Sequence, residues 1–527
     1  MNTIIWATNI KIKKDRVSLI LQSSAKINPR KISFTYQNAT CSYSWPAAFS
    51  LTQKKGTEIH AQIPLKELNL QAGDWNIAVN LGTEDAPQIL FPVLSKSLRL
   101  RLILMNYECR PNPDMILFPM GGDQHKLILR CRPVSPYDGF CTKLKIFLAF
   151  GASKLLRSFM KPKNIWLVYE KFCCTAQENG YYFFKYCMEQ LSASDSRNIY
   201  FILDKTSPQW PSMQKYKDHM IPFMSFRHLL YALTAQLYIS PDGKAHLFAW
   251  KPKPNPISRE LNRHDLFFLQ HGVLALKRVD HLFGKTGVSP MTYFTTSSKF
   301  EQDIVVKNMG YQPEEAPVLG LARWDTLEDL SANVPANILV MPTWRDWLEG
   351  QNDEFFQNSD YYKHYMSLIH NKELLSLLKA HKITLVFHIH PKLHEFLHNF
   401  QADSNLVKLI PFNTVPINRL IMECSMMITD YSSACWDVYY QEKPILFYHF
   451  DNDLHEQARG SYIDMEHELF GDRCMTEEQL VACIREYIEN GFREKALYGN
   501  MRKKYFAYRD HNNCQRTYDF IAERYKK

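Results

Sequence analysis

From Asn164 onward the chain repeats one pattern, a short and continuously apolar run followed by a longer amphipathic stretch. The runs are NIWLVYE, NIYFILD, AQLYISP and LFFLQHG, then a second series of NILVMPTW, ITLVFHIHP, LVKLIPF, MMITDYSS and PILFYHFD. A strand that is apolar at every position has to be covered on both faces, which is the situation of a parallel sheet lying between two layers of helices. The pattern therefore predicts an α/β chain with two consecutive Rossmann-like domains, residues 164–333 and 334–527, divided near Ser331 to Ala336. A chain of 527 residues exceeds what one hydrophobic core organises, so more than one domain is expected on length alone.

Four of the runs stop abruptly at polar residues. LFFLQHG ends at His271 and Gly272, ILVMPTWR at Pro342 to Arg345, LVFHIHP at His388 to Pro391, and MMITDYSS at Asp430 to Ser433. Open parallel sheets bind ligands outside the carboxyl ends of their strands, so one cleft between two such sheets would gather all four clusters. With Arg323 of GLARWD they supply imidazoles, two guanidiniums and the hydroxyls of Thr343, Ser432 and Ser433. Ser432 or Ser433 is expected to cap the helix that follows, whose free amides favour a phosphate oxygen. This inventory suits a pyrophosphate: arginine grips phosphate oxygens bidentately, and a histidine accepts a proton from an attacking hydroxyl near neutral pH.

Each residue also has a plainer reading. A histidine at a strand end is commonly a hydrogen-bonded structural residue, the two arginines are surface charges, and the paired serines are a helix cap. His388 and His390 share a strand face and match two metal ligands, but no third ligand lies nearby in the sequence, and no metal is assigned. Their shared place at strand ends is what favours a site.

Upstream, RVSLILQS, RKISFTYQN, EIHAQIPL, DWNIAVNLG and QILFPVL are strand-like runs at roughly ten-residue spacing with no strongly helical stretch between them. DMILFPM and HKLILRCR continue the series, which predicts a small antiparallel β-sandwich over residues 1–135. Residues 141–163 form a basic amphipathic segment that carries Lys143, Lys145, Lys154, Arg157, Lys161 and Lys163 and no acidic residue. Its composition fits an interfacial helix on an anionic membrane, and equally a linker helix whose lysines are merely solvated.

The net charge of +9 points to an anionic partner. Nucleic acid is not expected, because no basic stripe interleaved with aromatics and no zinc or helix-turn-helix signature is present. The twelve cysteines are scattered, with only Cys173 and Cys174 adjacent, and read as reduced thiols. No stretch has the form of a signal peptide, and no window reaches about eighteen consecutive apolar residues. The expected location is cytoplasmic, soluble or peripheral on a membrane.

In their order, QHG, LGLARWD, MPTWRDWL, HIHP and ITDYSSACWDVYYQEKPILFY resemble the CDP-glycerol glycerophosphotransferase family of teichoic acid synthases, over about residues 164–510. The resemblance implies a fold of the glycosyltransferase-B type, and the β-rich region is similar to the extra domain of some ribitol phosphate polymerases. It implies His271 as general base, with His390 as the second catalytic histidine. It further implies a donor site of Gly272, Val273, Leu274, Ala275, Arg323, Pro342, Thr343, His388, Ile389, Ser432, Ser433 and Asp437, to which Arg345 is added for its charge and place. The implied reaction is attack by a terminal polymer hydroxyl on the β-phosphorus of CDP-glycerol or CDP-ribitol, with CMP leaving and no cofactor beyond the donor. The implied partners are a lipid-linked polyol phosphate acceptor and the anionic inner face of the membrane.

The segment YEKFCCTAQENGYYFFKY departs from the family pattern. Glu178 and Asn179 stand there in place of a Gly- or Ser-rich stretch with Asp-Asn. SPDGKAHLFAWKPKPNPISRE reads as an acceptor-side loop. Two other readings stay open: a nucleotide-sugar glycosyltransferase on the same scaffold, since fold does not fix the group transferred, and a noncatalytic binder of anionic polymer.

Overall fold

The computed structural model describes residues 3–526 except 37–41, 47, 52–55, 66–67, 82–87, 105–106, 250–255, 288, 349–350 and 412–413. The chain forms two compact units. One comprises residues 1–157, 224–233 and 248–264, and the other residues 158–223, 234–247 and 265–527.

The second unit contains two parallel six-stranded sheets. The first is built from Trp166–Val168, Ile199–Leu203, Met220–Pro222, Leu237–Ser240, Asp265–Phe268 and Tyr293–Phe294, and the second from Asn337–Met341, Thr384–Phe387, Val407–Leu409, Met426–Thr429, Ile445–Tyr448 and Asp472–Cys474. Numbered along the chain, the strands of each sheet lie in the order 3-2-1-4-5-6, the doubly wound order whose switch point falls between strands one and four. LYIS, MMIT and ILFY are buried at every position, as strands covered on both faces must be.

Nine of the twelve strands coincide with the apolar runs of the sequence. Met220–Pro222, Tyr293–Phe294 and Asp472–Cys474 do not, because two or three residues are too few to carry a periodic signal. The last helix, Asn513–Tyr525, leaves the second sheet. Its Cys514, Tyr518 and Ile521 join Trp166, Phe201 and Phe267 in the core of the first.

The first unit holds a five-stranded and a seven-stranded sheet. Their pairings are antiparallel except that Ile5–Ile12 runs parallel to Val93–Leu94. Burial alternates along Thr57–Pro64 and Arg16–Ser23, and one hydrophobic cluster takes Leu19 and Ile59 from one sheet with Phe34, Trp75 and Leu117 from the other. The region expected to lack helix contains one, Lys96–Leu104, which buries Leu98 and Leu102 in that cluster. Its sequence KSLRLRLIL alternates like a strand, so packing rather than periodicity decides its form.

The basic segment is a helix, Phe140–Met160, continued by a turn over Lys161–Lys163. It buries Ile146, Ala149 and Ser153 and leaves Phe140, Leu144, Phe147, Leu148, Leu155 and Phe159 exposed. At 100° per residue those exposed side chains form one continuous stripe. Its cations are partly engaged: Lys143 pairs with Glu108, and Lys154 and Arg157 lie 2.9 and 3.7 Å from Glu260. Among the described residues no helix is long and apolar enough to cross a membrane, and the described cysteines are all free thiols.

Candidate functional site

A cavity of about 270 Å³ opens at the carboxyl ends of the two parallel sheets. Lys171, Glu178, Tyr182, His271 and Arg323 line it from the amino-terminal half, and Pro342, His388, His390, Ser432, Ser433 and Asp437 from the other. Each of the four predicted strand-end clusters contributes to this wall.

His271 follows the strand Asp265–Phe268 through Gln270, which turns the chain with a left-handed φ of 59°. The Gln270 amide donates to the Thr295 carbonyl and to Glu301 Oε1, and the Glu301 carboxylate accepts the Leu274 and Ser297 amides, each at 2.6 Å. The loop is thereby fixed from behind. Val273 and Ala275 face the core, and His271 projects half-exposed into the cleft. Gly272 has a steric reason to be glycine: a Cβ there would stand 3.0 Å from Ser433 Cβ on the opposite wall.

The imidazole Nε2 of His271 lies 3.5 Å from Asp242 Oδ1. Burial works against protonating His271, but Asp242 and then Glu178 outweigh it and hold its pKa above the ordinary histidine value. Asp242 is pushed down to about 2, with its own burial overcome by His271, His246 and Lys171.

Arg323 and Asp437 form a buried bidentate pair, with both Nε and Nη2 2.8 Å from the carboxylate, which also accepts Trp324 Nε1 at 2.7 Å. An unpaired guanidinium at this depth would cost several kcal/mol, so Asp437 serves Arg323 directly. Asn179 ties this turn to the His271 loop, accepting the Arg323 amide at 2.9 Å and donating to the Gln270 carbonyl at 2.8 Å. The buried Glu170 carboxyl accepts the amides of Gln177, Glu178 and Tyr181 at 2.7–2.9 Å and so shapes the entry to the helix Asn179–Gln190.

On the opposite wall, the Thr343 amide donates to Asp430 Oδ1 at 2.8 Å, joining the exits of the two strands that flank the switch point. Arg345 corrects its assignment as a donor-binding residue. It is buried outside the cleft lining, 2.9 Å from Asp430 and 2.7 Å from Asp451, and its charge is taken up internally. Ile389 likewise turns its side chain into the core while His388 and His390 line the cleft, as alternation along a strand exit requires. Neither serine caps the helix Cys435–Tyr440. Ala434 is its cap residue, and Ser432 Oγ accepts the Ala434 amide at 3.3 Å instead.

Burial lowers the pKa of His388, and burial reinforced by Lys277, Lys171 and Lys392 lowers that of His390 to about 3. Both imidazoles are neutral near pH 7. Arg323 Nη1 and His388 Nδ1, on residues that line the cleft, and Thr343 Oγ1 and Asp242 Oδ2, on residues beside it, are buried polar atoms with no hydrogen-bond partner among the described residues. Leaving such a group unsatisfied costs about 1–3 kcal/mol. A ligand rich in acceptor oxygens would satisfy the donors on the cleft, Arg323 Nη1 and, in its Nδ1-protonated tautomer, His388.

Asp242 and Glu301 lie outside the set of residues predicted from the sequence. Asp242 has a legible signal, since AQLYISPDG ends in a polar residue just as the four selected runs do. Glu301 has none, because its role depends on a buried contact with a loop a full helix-and-strand unit upstream. Among the described residues, no group of three or more His, Cys, Asp or Glu side chains comes together as a metal-ligating cluster.

A family model described as CDP-Glycerol:Poly(glycerophosphate) glycerophosphotransferase matches residues 152–523. The minor teichoic acid biosynthesis protein GgaB of Bacillus subtilis (strain 168) is 28% identical over 377 residues, which are 68% of this chain and 40% of that protein. The teichoic acid poly(glycerol phosphate) polymerase of the same organism is 26% identical over 184 residues, 33% of this chain and 22% of that protein. The chain thus spans less than half the length of either of these relatives. A structure of the wall teichoic acid polymerase TagF superposes with a TM-score of 0.51 at 14% identity, covering 75% of this chain and 99% of that one, a likeness of fold.

Proposed function

This chain belongs to the CDP-glycerol:poly(glycerophosphate) glycerophosphotransferase family, and from that premise we propose that it transfers glycerol phosphate or ribitol phosphate from a CDP-polyol to the terminal hydroxyl of a lipid-linked, teichoic-acid-like or capsule polymer. The observation that carries the reading is the pair of unsatisfied buried polar atoms on one cleft, Arg323 Nη1 and His388 Nδ1, beside a half-exposed histidine. A pyrophosphate supplies the acceptor oxygens those atoms lack, and the histidine supplies the base.

In the proposed reaction the acceptor hydroxyl loses its proton to His271 as its oxygen bonds to the β-phosphorus. The bond from that phosphorus to the bridging oxygen breaks, and its electron pair leaves on CMP. Phosphoryl transfer of this kind is chiefly positioning and charge stabilisation. Arg323, held rigid by Asp437, and the neutral donors of His388 and His390 supply both, while Pro342, Ser432 and Ser433 shape the donor pocket.

We read residues 164–333 as the acceptor-side domain and 334–527 as the donor-side domain. Residues 1–135 are then a β-sandwich accessory domain, and 141–163 a helix that rests on the inner face of the membrane. Exposed apolar side chains support the membrane reading more than charge does. Each Leu or Phe buried is worth about 1.5–3 kcal/mol, against about 1 kcal/mol per lysine near an anionic surface, and several of the helix's cations already have partners.

The test is CMP release from purified protein given CDP-glycerol, CDP-ribitol and a panel of nucleotide sugars, with a lipid-linked polyol phosphate primer present. The proposal expects primer-dependent CMP from one CDP-polyol. Turnover with a nucleotide sugar alone would refute it.

A further inference from the structure

We propose that Asp242 is a positioning residue for His271, the two forming a carboxylate–imidazole dyad in which Asp242 holds Nε2 and leaves Nδ1 to take the acceptor's proton. The proposal rests on the transfer reaction described above. Asp242 stands just past the strand Leu237–Ser240, which pairs in parallel with the strand Asp265–Phe268 that leads to His271. Neighbouring strand exits therefore deliver the carboxylate and the imidazole to the same point, with Oδ1 and Nε2 3.5 Å apart.

The backbone that carries the Asp242 carboxylate is itself fixed. Its amide donates to Ser240 Oγ at 2.9 Å, and that hydroxyl donates to the Tyr169 carbonyl at 2.7 Å. Asp242 is buried, and its Oδ2 has no hydrogen-bond partner among the described residues. His246 Nδ1 also lies 3.5 Å from Oδ1, but in the neutral ring that nitrogen accepts the Phe172 amide at 3.2 Å and so carries no proton toward the carboxylate. His271 is left as the imidazole that donates to it.

The charged groups facing His271 come from each element around it: Asp242 past its strand, Glu178 at the start of the helix Asn179–Gln190, and Arg323 from the turn Ala322–Thr326, with Asp437 bound behind that arginine. Lys171 acts on Asp242. Two carboxylates thus oppose one guanidinium that is already paired, and the balance favours the imidazolium that forms as the acceptor hydroxyl is deprotonated. After CMP departs, the proton leaves Nδ1 to solvent. Proton transfer by a positioned base contributes about 10²- to 10⁴-fold.

The experiment compares full-length wild type with Asp242→Asn in two measurements. The first is the titration of His271 by NMR with ring-labelled histidine, assigned with His271→Gln. The second is the pH profile of CMP release. The expected result is a lower His271 pKa, an acid limb displaced to lower pH, and a kcat reduced by about 10² or more with little change in KM for the donor. Asp242→Ser provides the same comparison should the asparagine variant fail to fold.

An acid limb and a His271 titration both unmoved in a folded variant would overturn the dyad, even if activity fell at every pH. Absence of CMP release from any CDP-polyol in the wild type would sink the transfer reading alone, since the titration still decides the dyad.

Discussion

His271 is placed by side chains that need not meet a substrate. Glu301 pins the amide of Leu274, Gln270 supplies the left-handed turn, and Asn179 bridges to Arg323. Removing the imidazole should therefore leave the cleft standing and delete only the base. His271→Ala is expected to lower kcat for CMP release by about 10²- to 10⁴-fold while donor binding, followed by calorimetry, stays within a few-fold of wild type. Near-normal turnover would mean that another group takes the proton. His388 and His390 play a different part, because burial keeps them neutral. As neutral groups these two imidazoles act through hydrogen bonds rather than through charge.

The sharpest constraint among the elements is the approach of the His271 loop to the serines after the strand Met426–Thr429. Gly272→Ala would drive a methyl group to 3.0 Å from Ser433 Cβ, closer than carbon atoms pack. Activity should fall well over tenfold, and Ser433→Gly in the same chain should restore much of it. No restoration would show that the glycine matters for another reason. The exposed stripe on the helix Phe140–Met160 makes a second prediction, since Phe147 and Leu155 are 73% and 86% exposed. Replacing both with Gln should weaken sedimentation with anionic vesicles by at least about tenfold, and replacing Lys154 and Arg157, already on Glu260, should do less.

The elements also show what the sequence discloses and what it hides. Long apolar runs announce the parallel strands, and their polar ends announce the cleft, because burial on both faces leaves only the exits free for chemistry. Arg345 was misjudged because its partners Asp430 and Asp451 are remote in sequence, the latter by 106 positions, and a guanidinium gives no local sign of being neutralised. Ile389 was misjudged because a motif reads as a block whereas a strand exit alternates. The helix Lys96–Leu104 was hidden by a strand-like pattern that tertiary packing overrides.

At the scale of the molecule, the two parallel sheets repeat one winding order, and the final helix returns to the first sheet's core, so the cleft residues are carried by both halves of one compact unit. That arrangement suits a reaction with two substrates, each presented by its own sheet to the same point. The net charge of +9 suits the anionic acceptor and surface proposed for it. The most direct measurement is mass spectrometry of a lipid-linked polyol phosphate primer incubated with the protein and a CDP-polyol, with CMP quantified alongside. The account predicts a primer lengthened by whole polyol phosphate units, one CMP released for each, and neither product with His271→Ala. CMP formed without primer extension, or extension by a sugar, would contradict it.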